Sequence, residues 1–334
     1  MARSAHSREP FAESTKEPEH PMQGRIDRRT ALQLSLAAAL GAASPWPAFA
    51  ETTGDLLRKA IPSSGEKIPL IGIGTNNYSP TTPEERAARQ AVLARFTAAG
   101  LSLIDTAPAY RESERVIGEL LAEIGNRPKA FIATKVTAQG GTREEGVAMM
   151  EESMRRLRTS FIELMQVHNL IGTEVLLPLL REWVAAKKIR YIGITTSRDE
   201  QYPEMLRLMR TQKLDFIQID YSLGNRGAAD EVLPLAAEKG IAVLINLPFG
   251  GRRGGGMFAR VAGQALPDWA ADIEARSWGQ VFLKYVVSHP AVTCAIPGMT
   301  KVGNLDDNLG AARGRLPDAA MRKRMEAFWD ALPG

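Results

Sequence analysis

Four polar residues stand at the ends of short apolar runs, where a buried charge or hydroxyl is costly unless it is used: Asp105, Tyr110, Lys135 and His168. Leu103 and Ile104 lead into Asp105, and Tyr110 follows Pro108 on the turn beyond it. Phe131-Ile132-Ala133-Thr134 leads into Lys135, and Leu164-Met165-Gln166-Val167 into His168. A tyrosine, with an unperturbed pKa near 10, is a poor acid at neutral pH. An adjacent ammonium stabilises the phenolate, and an aspartate paired with that ammonium fixes its place and charge. A neutral histidine can donate to a substrate oxygen and orient it. The set would deliver a proton to a carbonyl oxygen while another group supplies hydride. No side chain is a hydride source, so a nicotinamide cofactor is implied. Taken singly, each residue has a plainer reading: an N-cap, a rim aromatic, a solvated lysine, a core histidine. Their joint occurrence at the ends of successive apolar runs is what points to chemistry.

The elements that must position them follow from the pattern. Near-continuous apolar stretches at 68–75, 102–105, 131–135, 162–168, 191–195, 216–219, 242–245 and 292–296 read as strands with both faces covered. Between them, helical stretches fall at 82–99, 112–124, 143–159, 174–187, 203–212, 228–239, 278–288 and 302–312. The first has Thr82 as N-cap, Pro83 at its first position and Gly100 beyond its end. Eight βα units predict one α/β domain, a (β/α)8 TIM barrel, over residues 51–334. An open doubly wound sheet is the alternative, but Gly72-Ile73-Gly74-Thr75-Asn76-Asn77 is a poor match to G-x-G-x-x-G. Those glycines read as close packing at a strand end. The stretch 249–275, with Arg252-Arg253-Gly254-Gly255-Gly256, is long enough to be a lid or binding loop. In a barrel the C-terminal strand ends share one mouth, which is where the four residues fall.

Composition narrows the classes. The apolar fraction of 44% and the charged fraction of 24% are those of a globular protein, and the net charge of +4 comes from interspersed acids and bases. There is no basic stripe with interleaved aromatics, so no nucleic acid partner is expected. Cys294 is the one cysteine and lies in an apolar run, which reads as a buried core thiol. With four histidines, two of them before residue 50, no metal site is expected.

The first fifty residues read as an address. Arg28-Arg29 precede an Ala/Leu-rich run through Ala43, followed by Ala48-Phe49-Ala50. Paired arginines, a modest apolar segment and an A-x-A ending describe a twin-arginine-type signal peptide over residues 1–50. The apolar run is shorter than the roughly 20 residues that a spanning helix needs. Cleavage near Ala50, export by the twin-arginine machinery and a periplasmic, non-spanning mature chain are the expectations.

Residues 56–315 resemble the aldo/keto reductase family. The most specific resemblance is Ile104-Asp105-Thr106-Ala107-x-x-Tyr110-x-x-Ser113-Glu114, followed in order by Ala133-Thr134-Lys135 and Val167-His168. The resemblance implies a (β/α)8 fold that binds NADP(H) without a Rossmann motif. It implies Tyr110 as general acid/base, Lys135 and Asp105 as its tuners, and His168 as the group that orients the carbonyl. It also implies a cofactor site: Gln218 at the carboxamide, with Thr75 and Asn169 at the mouth. Thr195-Thr196 stand where the family usually has Ser-Asn. Asn246 stands near the position where many relatives place a stacking aromatic. Thr300 and Lys301 would meet the 2′-phosphate, and Asp307 with Asn308 the adenine; a lysine and a threonine suit a phosphate. Arg111 replaces the family's usual glycine, and either puts a cation beside the pocket or faces solvent.

The expected activity is NADP(H)-dependent reduction of an aldehyde or ketone to an alcohol, with a small-molecule carbonyl substrate. Two readings stay open beside it. In one, Lys135 forms a Schiff base, as in a lyase or aldolase. In the other, the barrel keeps its cofactor as a sensing or structural ligand and acts through a partner.

Overall fold

Period-two alternation along each strand decides the architecture. In Phe131–Val136, the side chains of Phe131, Ala133 and Lys135 share one face, and Ile132, Thr134 and Val136 the other. The computed structural model describes residues 55–251 and 256–333. The strands are β1 (Arg58–Ala60), β2 (Lys67–Pro69), β3 (Ile73–Gly74), β4 (Leu103–Asp105), β5 (Phe131–Val136), β6 (Ile162–Val167), β7 (Ile189–Thr195), β8 (Phe216–Ile219), β9 (Ala242–Ile245) and β10 (Cys294–Ala295). The helices are α1 (Pro83–Ala98), α2 (Ser113–Glu123), α3 (Arg143–Arg156), α4 (Thr173–Ala185), α5 (Tyr202–Thr211), α6 (Val232–Lys239), α7 (Met257–Arg260), α8 (Trp278–Val287), α9 (Val302–Gly310) and α10 (Ala319–Ala331).

Strands β3 to β10 lie side by side in chain order, each parallel to the next. The sheet curls until its two edges meet. Gly72 N donates to Ala295 O at 2.8 Å, Ala295 N to Leu70 O at 2.8 Å, and Gly74 N to Pro297 O at 2.9 Å. That closure makes the (β/α)8 barrel expected from the pattern, and it explains the glycines. A Cβ on Gly74 would lie 2.5 Å from Ile296 O, so only glycine lets the first and last strands approach.

Two apolar layers result. Inside the barrel, Leu103, Phe131, Ala133, Leu164, Tyr191, Phe216, Leu244 and Cys294 form one cluster. A larger cluster lies between the barrel wall and the helices, with Ile104, Ile132, Ile217 and Val243 from the outer strand faces. Moving two residues towards the C-terminal end replaces Leu103 by Asp105, Ala133 by Lys135, Leu164 by Gln166 and Phe216 by Gln218. The inner face therefore changes from apolar to polar at the mouth, and all four of these polar residues are buried.

The structure departs from the sequence reading in three places. The stretch 68–75 is not one strand: Lys67–Pro69 pairs antiparallel with Arg58–Ala60, and the barrel strand is Ile73–Gly74, with Ile71 bridged to Ala295 ahead of it. The resulting hairpin places Ile61 and Ile68 against the inner cluster. Lys59 ties the hairpin down by donating to the carbonyls of Val287 (2.9 Å), His289 (3.0 Å) and Val292 (2.6 Å). Second, α10 was not anticipated. Its signal was present in Asp318, whose Oδ1 accepts from Met321 N at 2.8 Å as an N-cap, and in Met325 and Trp329, buried four residues apart. Third, the long segment after β9 contains α7 and a 3-10 turn at Asp268–Ile273. Phe258 of α7 packs against Phe249 and against Phe282 of α8, with ring centroids 5.0 and 5.5 Å apart. Residues 1–50, read as a signal peptide, lie outside the described residues. Among the described residues no helix is long and apolar enough to cross a membrane.

Candidate active site

At the end of β4, Asp105 is fully enclosed and meets Lys135 from β5. Lys135 Nζ lies 2.7 Å from Asp105 Oδ1 and donates a second bond, of 2.8 Å, to Thr106 O. The other carboxylate oxygen accepts from Gln218 Nε2, on β8, at 2.8 Å. Burial by itself would strip the proton from Lys135, but the Asp105 carboxylate, and after it Tyr110, hold its pKa above the ordinary lysine range. Burial pushes the Asp105 carboxyl up, with Lys135 and the Gln218 amide pulling against it. The two chains are thus mutually dependent: each is tolerable in the interior because the other is there.

The turn after β4 then brings Tyr110 over this pair. Lys135 Nζ sits 4.9 Å from the centroid of the Tyr110 ring. Hydroxyls fasten the turn on both flanks. Ser79 Oγ donates to Tyr110 O at 3.3 Å and accepts from Glu112 N at 3.1 Å. Ser113 Oγ lies 2.8 Å from Thr75 Oγ1 and 3.0 Å from Thr106 Oγ1. Thr75 Oγ1 in turn donates to Asp105 O at 2.7 Å. Helix α2 is anchored by Glu114, which accepts from Thr134 Oγ1 on the outer face of β5 at 2.7 Å. Glu114 therefore does more than favour the start of a helix, and Ser113 and Glu114 are both buried. Arg111, directly after Tyr110, has φ 54°. A left-handed backbone is easiest for glycine, at a cost to other residues of about 1 kcal/mol or more. Arg111 is exposed and is not among the residues lining the cleft.

His168, at the end of β6, completes the group. Its ring stands edge-on to Tyr110, with centroids 6.2 Å apart and planes at 87°. Burial first, and the Lys135 charge second, lower its pKa to about 4. At neutral pH the imidazole is therefore uncharged and able to present an N–H to a ligand oxygen. The sign for stability follows from the lowered value. The unfolded chain binds this proton near pH 6.5, so His168 costs stability progressively as pH falls from 6.5 to about 4, and nothing above that window. NMR titration of the His168 ring should give a midpoint near 4; a midpoint near 6.5 would mean a water-exposed ring.

A cleft of about 330 Å³ opens above these residues. Asp105, Tyr110, His168, Thr75, Asn169, Thr195, Gln218 and Asn246 line it, so eight of the residues singled out in the sequence come together. Lys135 lies just beneath, 1% exposed. Asn246 brings an amide whose Oδ1 is buried without a hydrogen-bond partner among the described residues. With the Thr195 hydroxyl and the Gln218 amide, it is a donor and acceptor set of the kind a carboxamide needs. The lining also includes Asn76, Asn77, Ser197 and Phe249, which the sequence reading did not single out. Their only sequence signal was position, just past a strand end.

Other expected cofactor residues are placed differently. Thr196 does not face the cleft: it is fully buried, and its hydroxyl binds Gln201 Oε1 at 2.5 Å and Arg198 N at 3.0 Å. Alternation explains this, because Thr195 already occupies the inward position. Asp307 is engaged by α8, accepting from Ser277 Oγ at 2.8 Å and Gln280 Nε2 at 3.0 Å. Asn308 is buried on α9, 5% exposed. Neither lines the cleft. Lys301 is exposed at the N-cap of α9, and Thr300 is half-buried beside it. Cys294 lies in the inner cluster, where burial pushes its thiol up.

The chain is similar to known proteins. Residues 70–329 match the model of the Aldo/keto reductase family. Methylglyoxal reductase YeaE of Escherichia coli (strain K12) is 28% identical over 278 residues, covering 81% of this chain and 95% of that protein. Aldo-keto reductase YhdN of Bacillus subtilis (strain 168) is 31% identical over 202 residues, 56% of this chain and 60% of that protein. Among solved structures, the holo form of aldo-keto reductase AKR11C1 from Bacillus halodurans superposes with a TM-score of 0.67 at 21% identity, over 81% of this chain and 96% of that one. An aldo/keto reductase from Klebsiella pneumoniae, solved in complex with NADP and acetate, gives 0.64 at 23% identity, over 83% and 96%. At these identities the superpositions speak for the fold.

Proposed function

The chain belongs to the aldo/keto reductase family, and from that premise we propose that it is an NADP(H)-dependent oxidoreductase that reduces an aldehyde or ketone to an alcohol. The observation that carries the reading is the assembly of Asp105, Lys135, Tyr110 and His168 at one mouth, beneath a cleft lined by side-chain amides. The bound cofactor would supply hydride to the carbonyl carbon. Thr195, Gln218 and Asn246 would hold its carboxamide, with Thr75 and Asn169 beside them. Thr300, Lys301 and the free N–H groups at the start of α9 suit its 2′-phosphate.

The chain's own residues do the rest. His168, neutral, donates to the substrate oxygen and sets the carbonyl beside Tyr110. Tyr110 gives its phenolic proton to that oxygen as negative charge develops there. Lys135 supplies the positive charge facing the phenolate that remains, and Asp105 keeps that ammonium in place. Burial of the pair excludes water from the far side. Methylglyoxal, named for the 28% identical relative, is the first substrate to test.

Carbonyl-dependent loss of NADPH absorbance by the purified chain tests the proposal, and no turnover with any of a panel of aldehydes and ketones would reject it. Lys301→Ala should weaken NADPH by about tenfold, the loss of one charge-assisted contact of roughly 1.5 kcal/mol, and NADH far less. Equal losses would remove Lys301 from phosphate recognition. The Schiff-base alternative is disfavoured by the state of Lys135, which is held protonated with its hydrogens donated to Asp105 and Thr106, whereas a nucleophilic amine must be neutral.

Export rests on the sequence of residues 1–50. Changing Arg28 and Arg29 to lysine should hold the precursor in the cytoplasm, and undiminished export would reject the twin-arginine reading.

A further inference from the structure

The turn that carries His168 is strained, and the restraint comes from outside it. Asn169 and Leu170 have φ of 53° and 60°, two successive left-handed residues that are not glycine. Each costs about 1–3 kcal/mol and persists only where neighbouring groups hold it. Within the turn itself there is the bond from Ile171 N to His168 O, at 3.1 Å. Two further bonds to its backbone come from the last residue of β7 and from the segment after it. Asn169 N donates to Thr195 Oγ1 at 3.2 Å, and Asn169 O accepts from Gln201 Nε2 at 3.0 Å. Gln201, on the single turn before α5, uses both ends of its amide: Oε1 accepts from Thr196 Oγ1 at 2.5 Å. Thr196 is itself fixed, accepting from Arg198 N at its hydroxyl and from Asn246 Nδ2 at its carbonyl, the latter at 3.3 Å. Gln201 thus bridges two loops of the mouth, and it also explains the buried position of Thr196.

We propose that Gln201 is a positioning residue, which holds His168 edge-on to Tyr110 by bridging the strained Asn169 carbonyl to the Thr196 hydroxyl. The proposal rests on the reading of His168 as the group that orients the carbonyl. Without the bridge, the left-handed pair keeps only the bonds to Thr195 Oγ1 and within the turn among those described, and the imidazole drifts out of line with Tyr110 and towards water. The titratable groups facing His168 are Tyr110 from the turn after β4 and Lys135 from β5, the latter paired with Asp105 of β4. Burial and the Lys135 charge hold the His168 midpoint near 4, so a ring that gains water should titrate higher, towards 6.5.

Gln201→Met keeps the length of the side chain and removes both bonds. In the otherwise intact chain, NMR titration should show the His168 midpoint rising by about one pH unit or more, while the His289 midpoint, also near 4, stays as an internal reference. In the same variant kcat/KM for carbonyl reduction should fall by about 10- to 100-fold, the scale of an ångström-level misplacement, and should acquire an inflection below neutrality. Gln201→Asn, which keeps the amide but not the reach, should behave alike and serves if the methionine variant fails to fold. A His168 midpoint unchanged from wild type in a folded variant overturns the proposal, whatever the activity. The titration needs no substrate, so a wild-type chain without carbonyl reduction would reject the proposed function and still leave Gln201's role decided by the midpoint.

Discussion

Tyr110→Phe should lower kcat for carbonyl reduction by about 10²- to 10⁴-fold, the range of a lost general acid, with NADPH affinity nearly intact. The physical basis is that the fold of the turn does not depend on the hydroxyl. The turn around Tyr110 is held through its backbone, by Ser79 Oγ, Ser113 N and Ala107 O, and through the hydroxyls of Ser113, Thr75 and Thr106. The phenyl ring would stay over Lys135 and against His168. A change confined to proton delivery appears in kcat and kcat/KM together, leaving the cofactor's dissociation constant alone. Stopped-flow hydride transfer and fluorescence titration with NADPH measure the two quantities separately. Retention of more than about a tenth of wild-type kcat would take Tyr110 out of the mechanism.

Lys135→Met should be the most destabilising single change at the mouth, and inactivating as well. It leaves Asp105 enclosed with side-chain amides such as that of Gln218 in place of an ammonium at 2.7 Å. Breaking a buried pair from one side costs about 3–5 kcal/mol, a fall in Tm of roughly 10 °C for a chain of this size. Burial already pushes the Asp105 carboxyl up, so Asp105 can take a proton, and that sets a ceiling on the loss. The double variant Lys135→Met, Asp105→Asn should therefore recover much of the stability and none of the activity. Calorimetry beside the carbonyl assay checks both halves. A Lys135→Met protein with wild-type Tm would mean that the pair contributes nothing net, and restored activity in the double variant would mean that its charge is not used.

The two positions also show how far one chain of letters reaches. Asp105, Lys135 and His168 were legible because parallel strands covered on both faces leave few polar residues, and those that remain stand out at strand ends. Alternation then said which way each points, as Phe131, Ala133 and Lys135 illustrate on β5. The repeat of strand and helix was legible for the same reason, since local periodicity reports local structure. Thr196 shows the opposite case. Its type suits a cofactor contact, yet with Thr195 facing the cleft its own side chain turns to Gln201, a partner visible only once two loops lie side by side.

Beyond the Asp105–Lys135 pair, which strand ends at one mouth made legible, contacts between distant segments were not legible in the sequence. The hairpin at 58–69 forms because Lys59 finds three carbonyls more than two hundred residues away. Asp307 binds Ser277 and Gln280 because α8 and α9 pack together. Strand and helix periodicity, with polar residues placed where burial should forbid them, was enough to read off the barrel and the four polar groups gathered at its mouth. The tertiary structure alone decided which neighbours hold those groups in place: hydrogen bonds select partners by distance and angle, and neither quantity is written along the chain.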